Sequence, residues 1–388
     1  MTNLQPGNTI STILKHDRKV TSYKIALLRA INDVVLNFPD LPKLQKDIAI
    51  PIRVLAEFWI AYYWPFVQEK PIYQGPRAER SGKIRNDMSF RPELTELRLN
   101  WNKITPGPSK PSDGFFIINE FRIKRRKQNY PRNIREVYDK TISKISKTIR
   151  DQPIRYAGPD QWTIFEQPKQ YNQIGDKVIG IPDTKPNDIC LLLKKELWDD
   201  FQQLSLWIEA LCLHEWSLFT EKQKQLEIID IDRGTIYKLL TDRPDNRRPL
   251  TWERNHIDIL ITEGREFVCP WTEYRIYQHG NYEIDHILPI SIYPINELWN
   301  LVPSNPKANL RKSDKFPSTN RLAKAKPNLI LAYNNYEASK PLSKALHEDV
   351  SIRFINISES MGNYSNEVSA AVINFIEQVS ASRNIARY

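Results

Sequence analysis

Cysteine is scarce in this chain. Only Cys190, Cys212 and Cys269 occur among 388 residues, far apart in sequence and none in a C-x-x-C pair. That spacing excludes a disulfide framework and a zinc site built wholly from cysteine, and it fits a reducing compartment. Long apolar runs are missing too, since no stretch reaches the ~20 apolar residues that cross a bilayer. The N-terminal MTNLQPGNTISTILKHDRK lacks the apolar core of a secretory signal. The expectation is a cytoplasmic protein with no membrane insertion. Internal repeats and long low-complexity tracts are also absent, which argues against solenoid architectures.

What is present is length and positive charge. A chain of 388 residues is long enough for two or more compact units with sizeable cores. Lys+Arg total 56 against 46 Asp+Glu, a formal net charge of +10, which favours polyanionic partners and nucleic acid in particular.

The first 240 residues read as mostly helical. Thr21 and Ser22 are placed to cap a helix carrying Ile25, Leu28, Ile31, Val35 and Leu36 at helical spacing, which Asn37 to Asp40 then breaks. A second helix starts with Pro51 in its first turn and runs through IRVLAEFWIAYYW to Trp64. Residues 70–112 read as loops and short helices. A basic helix follows, with Ile134, Tyr138, Ile142, Ile145 and Ile149 on one face and Lys140, Lys144 and Lys147 on the opposite one. With Lys124, Arg125, Arg126 and Lys127 just before it, that stripe forms a candidate phosphate track. Over 152–184 the pieces IRYAG, WTIFEQ and KVIGIP look like short strands, forming either a small hairpin or a junction between two subdomains. A long helical region is expected from about Leu193 to Glu221, and TDRPDNRRPL, residues 241–250, reads as a linker.

Beyond the linker the order is strand, loop, strand, helix. The first strand ends in E-I-D-H at His286, a Pro-containing loop leads to WNLVPS, and Ser304 or Asn305 caps a helix with Pro306 in its first turn. The sequence from EIDHILPIS to NLRKSDKFPS resembles the HNH nuclease family, and in particular the HNH domain of CRISPR effector nucleases. The likeness covers about residues 265–320. The motif's successive positions match His286, Asn300 and Asn309, with Asp285 as the acidic residue before the histidine.

The resemblance implies a ββα-metal nuclease domain, and the residue types suit that chemistry. Hydrolysis of a phosphodiester needs an activated water and positive charge on the phosphate. His286 has the titration range of a general base. Asp285 and Asn309 are hard oxygen ligands for Mg²⁺ or Mn²⁺. Strand alternation separates the Asp285 and His286 side chains, so their joint use requires a local distortion or a metal approached from the strand edge. The resemblance makes Asn300 a brace for the loop. Arg311, Lys312 and Lys315 are candidate phosphate contacts, with Lys312 on Asn309's face. Glu283 is a candidate further ligand, although a surface carboxylate is the plainer reading.

Many HNH domains hold a structural zinc with two C-x-x-C pairs. Here the equivalent positions are Cys269 with Thr272 and Asn305 with Ala308, so no structural zinc is expected, and packing through Trp271, Trp299 and Phe316 takes its place.

The fold class is α+β. Residues 1–240 form a helical DNA-binding or regulatory region, 250–325 the HNH domain and 326–388 a helical extension whose apolar residues run from Val368 to Val379. The expected activity is metal-dependent DNA hydrolysis, nicking one strand per site, in restriction or anti-phage defence with partner proteins. The competing readings are a catalytically silent nucleic-acid-binding scaffold and a nuclease toxin acting on RNA.

Overall fold

The structure, a computed structural model, describes residues 6–76, 79–80, 83–84, 87–105, 107–223, 231–242, 250–291, 293, 295–355, 357, 363–383 and 386–388. The chain divides into two compact units, Met1–Asp242 and Arg243–Tyr388. Residues 243–249 of the expected linker lie outside the described residues.

The first unit is built on the helix Tyr23–Asn37, which packs against Ile52–Tyr63 and Ser205–Glu221 and is buried on nearly every face. Ser22 precedes that helix without capping it. Its hydroxyl instead bonds the Tyr63 hydroxyl at 2.8 Å, inside an aromatic cluster of Tyr23, Trp59, Tyr63, Phe90 and Trp216. Gly114 opens the helix Asp113–Arg122 where it crosses Ile52–Tyr63. A methyl there would stand 2.7 Å from Ala61 Cα, so the close approach requires glycine.

Several elements of this unit differ from the sequence reading. Residues 70–112 contain a full helix, Arg91–Ile104, and Asp113–Arg122 is a second that was not foreseen. The first was obscured by its charge, because Arg91 and Arg98 are buried alongside Leu94, Leu97 and Trp101. Arg91 finds partners in the Asp87 carboxylate and the carbonyls of Phe66 and Ile72. Among the three β-like pieces, KVIGIP contains the strand Val178–Gly180, while IRYAG begins at the end of a π-helical turn, Arg150–Ile154. The sheet runs in the order Lys169–Gln170, Ile189–Leu193, Asp47–Pro51, Val178–Gly180, with the last pair parallel. Leu193 therefore ends a strand, and the expected helical region consists of two helices, Lys195–Gln203 and Ser205–Glu221.

The second unit begins with the helix Thr251–Thr262 and a short antiparallel pair, Phe267–Val268 with Arg275–Ile276. The strand Glu283–His286 then pairs antiparallel with Leu301–Ser304, and the helix Pro306–Lys312 follows directly. Three longer helices complete the unit, Thr319–Ala338, Lys340–Ser351 and Tyr364–Arg383. One core spans the ββα element and these helices, running from Ile284, Trp299 and Leu301 to Val368, Phe375 and Val379. Among the described residues this core includes members of both 250–325 and 326–388. Each fully buried side chain of this size contributes about 1.5–3 kcal/mol. The helix Thr319–Ala338 also fixes backbone: Tyr333 and Tyr336 donate to the carbonyls of Trp299 and Leu301, at 2.7 and 2.8 Å.

Candidate active site

The ββα element owes its shape to local chemistry. Glu283 to His286 pairs in register with Ser304 to Leu301, and Pro303 is tolerated because the ribbon has only two strands. Asn305, the second of the two candidate caps, accepts from the backbone N–H groups of Lys307 and Ala308. Pro306 sits in the first turn, where its missing N–H costs nothing.

This helix lies along the strand and reads it with two side chains. Asn309 Nδ2 donates to Glu283 Oε2 at 2.8 Å, and Lys312 Nζ donates to Asp285 Oδ1 at 2.8 Å. Lys312 also donates to the backbone carbonyl of His286 at 2.5 Å. The separation of Asp285 from His286 is thus bridged by one ammonium, which binds the side chain of the first and the main chain of the second. Trp271 Nε1 donates to the other Asp285 oxygen, Oδ2, at 2.6 Å. Asp285 is 3% exposed and Lys312 1%.

His286 is half-buried and is held from the loop. Its Nε2 lies 2.7 Å from Asn296 Oδ1. An amide oxygen only accepts, so this contact calls for a proton on Nε2.

The loop between the two strands is closed by Asn300, which is fully buried. Its Oδ1 accepts from Leu288 N at 2.8 Å and its Nδ2 donates to Leu288 O at 3.1 Å, so one side chain satisfies both backbone groups of that residue. Beside it, Glu297 forms a buried ion pair with Arg353 at 2.5 Å and accepts from Trp299 Nε1 at 2.6 Å. Burial alone would loosen the Arg353 proton, but the Glu297 charge and hydrogen bond outweigh it and raise the guanidinium pKa. Leu298 N–H donates to Asp349 Oδ2 at 2.6 Å, tying the same loop to the helix Lys340–Ser351.

The structure therefore brings Asp285, His286, Asn300 and Asn309 onto one ββα element, each held by a different partner. Two basic candidates require correction. Lys312 does not face outward as a phosphate contact, because sharing Asn309's face turns it onto the strand and Asp285. Arg126 is 4% exposed and pairs with Glu120 at 3.6 Å, so it is no part of a surface track. Arg311 and Lys315 are exposed, as are Lys124, Lys140 and Lys147, with Arg125 and Lys144 half-buried. Lys140 also approaches Glu96 at 3.5 Å.

Three features escaped the sequence reading: Asn296 on His286, the Trp271 bond to Asp285, and the Glu297–Arg353 pair. Asn296 and Arg353 sit in no motif and become visible only with the fold. Trp271 could be singled out as an aromatic residue, but its hydrogen-bond partner lies 14 residues on.

No curated protein and no solved structure gives a match to this chain. Residues 269–318, which hold the ββα element, match the family model of the HNH endonuclease, and this supports nuclease activity. Residues 3–240, more than half of the chain, match the model of a domain of unknown function, DUF8808, and the chain belongs to that family, with an HNH endonuclease domain following the shared region.

Proposed function

We propose that the second unit hydrolyses phosphodiester bonds of DNA in a metal-dependent reaction, with His286 as general base. The observation that carries this reading is the His286–Asn296 contact. It orients the ring, and with Nε2 donating to the Asn296 oxygen the proposed base is Nδ1.

A divalent metal is implied by the HNH match, and the donor chemistry fits it. Asn309 spends its amide nitrogen on Glu283, which leaves its oxygen for ligation. Asp285 supplies a carboxylate, and Mg²⁺ needs only one or two such protein oxygens. Among the described residues no group of three or more His, Cys, Asp or Glu gathers around one point, so a cage made wholly of protein groups is not the expectation. Asp285 and Asn309 would hold the ion, which when bound supplies positive charge to the phosphate and the leaving oxygen. His286 holds the proton taken from water at Nδ1. Asn296 keeps the ring oriented, and Asn300 keeps the loop that carries Asn296 closed on Leu288. Arg311 and Lys315 lie exposed at the end of the helix, placed to neutralise neighbouring phosphates.

A single site of this kind cuts one strand at a time, so a monomer nicks. We attach restriction or anti-phage defence, acting with partner proteins, to this activity on the strength of the sequence resemblance.

The test is incubation of supercoiled plasmid with the full chain and Mg²⁺, with EDTA, and with His286→Ala. Conversion to the open circle by the wild type alone, in Mg²⁺ alone, is the expected result. Cutting by His286→Ala at the wild-type rate would remove the histidine from the mechanism. Structured RNA is the parallel substrate, and its preferential cleavage would replace DNA as the target.

A further inference from the structure

Lys312, like Arg126, sits where its expected job is contradicted, and it does so inside the candidate site. Its side chain is 1% exposed, and it places an ammonium in a cradle of two oxygens and an indole. Asp285 Oδ1 stands at 2.8 Å, the His286 carbonyl oxygen at 2.5 Å and the Trp271 ring centroid at 6.0 Å. A carboxylate and a backbone carbonyl are also the donor types that hard divalent ions take.

The structure points to Lys312 as the resident cation of the metal site: we propose that its ammonium neutralises Asp285 in the metal-free protein and competes with the divalent ion for that carboxylate. The proposal rests on the reading of Asp285 as a metal ligand.

Three observations support it. First, the pair is buried on both sides, so the charge on Asp285 is balanced from within the protein and screened little by solvent. Second, Trp271 already donates to Asp285 Oδ2, so an approaching ion meets a carboxylate with one N–H donor on each oxygen. The ion must displace the ammonium or share the oxygen with a like charge, and either way the lysine weakens metal binding. Third, Lys312 stands three residues after Asn309 on one helical face, so the competitor and the second expected ligand come from the same helix. Coupling of this kind is reciprocal, and a bound ion must loosen Lys312 as much as Lys312 opposes the ion.

The experiment is Mn²⁺ binding to the full chain, followed by the electron paramagnetic resonance of free Mn²⁺, with no nucleic acid and no turnover. Lys312→Met should bind Mn²⁺ at least tenfold more tightly than wild type, and the charge-keeping Lys312→Arg should not. Affinity in Lys312→Met that is equal to or weaker than wild type, in protein that melts cooperatively, overturns the competition. Asp285→Asn separates the two claims. If it leaves Mn²⁺ binding intact, the ligand reading of Asp285 fails and takes the proposal with it. If it abolishes binding while Lys312→Met changes nothing, only the competition fails.

Removing the lysine strands a buried carboxylate, so Lys312→Met could fail to fold. A second measurement needs no variant beyond the one used for assignment. The Lys312 ammonium resonance in a ¹⁵N-lysine sample, assigned by its absence in Lys312→Arg, should be protected from exchange without metal and should shift or vanish as Mg²⁺ saturates. A resonance unmoved at saturation overturns the proposal.

Discussion

Removing the Asn300 side chain tests how much the loop closure contributes. Asn300→Ala deletes an acceptor 2.8 Å from Leu288 N and a donor 3.1 Å from Leu288 O, both in a fully buried setting. The neighbouring backbone bond, Ile287 N to Asn300 O at 2.9 Å, needs no side chain and survives. A buried polar group stripped of its partner costs about 1–3 kcal/mol. Two such groups, relieved in part by local relaxation, give about 3 kcal/mol, or on the order of a hundredfold in an opening equilibrium. Amide-resolved hydrogen exchange on the full chain reads this directly. The Leu288 amide should exchange about a hundredfold faster in the variant, with the Ile287 amide changed less. On the proposed ligand set Mn²⁺ binding should persist, because both polar groups of the Asn300 side chain are spent on Leu288, while plasmid nicking should fall with the disturbance of Asn296 and His286. A Leu288 amide that exchanges within about threefold of wild type would show that the 2.8 Å contact adds nothing, and the bracing argument would be wrong.

Arg353→Met leaves Glu297 charged and buried with the Trp299 N–H as its remaining side-chain donor among the described residues, a loss of about 3–5 kcal/mol in urea unfolding of the second unit. The double variant Arg353→Met/Glu297→Leu should recover much of it, and a single-variant loss below about 1 kcal/mol would contradict the pairing. Gly114→Ala should destabilise the first unit by about 1–3 kcal/mol despite alanine's better helix propensity, because the added methyl meets Ala61 Cα at 2.7 Å and Trp64 Cβ at 2.8 Å. Urea melts that show a gain would refute the close approach. Burial pushes the Cys190 thiol up to about 12 and Cys212 higher still, so the thiolate is disfavoured at pH 8. Ellman's reagent should therefore find no rapidly reacting thiol in the native chain and all three in guanidinium, and fast native labelling would contradict the burial of the three cysteines. Glu283→Ala frees the Asn309 amide. Stability should stay within about 0.5 kcal/mol because the carboxylate is exposed, while Mn²⁺ affinity should fall about tenfold, and an unchanged affinity would remove Glu283 as the residue that orients Asn309.

The order strand, loop, strand, helix was legible because each part has a local cause. Glu283 to His286 ends where the Pro-containing loop begins, Asn305 and Pro306 announce a helix start, and the final helix shows its face in Val368, Val372, Phe375 and Val379. The first unit's sheet was not legible. Its longest members, Asp47–Pro51 and Ile189–Leu193, pair across some 140 residues, and each runs into a strong helical pattern that took its last residue, leaving too short a remainder to read as a strand. The helix Arg91–Ile104 was lost for the opposite reason, since buried arginines made a core element look like a solvated one.

The misreading of Lys312 comes from following a correct rule only halfway. Residues three apart on a helix share a face, so Lys312 was placed beside Asn309, and the face was then assumed to look outward. Two strand residues i and i+2 advance by about 6.6 Å, and three helix residues by about 4.5 Å. Asn309 and Lys312 can therefore address Glu283 and Asp285 in turn, provided one of the two side chains is long enough to make up the difference. Lysine is long and asparagine short, and the contacts divide accordingly, with Asn309 on exposed Glu283 and Lys312 reaching inward to buried Asp285. Charge counted along a sequence measures what a chain could offer to a polyanion. At Lys312, as at Arg126 beside Glu120, an internal carboxylate has already taken that charge.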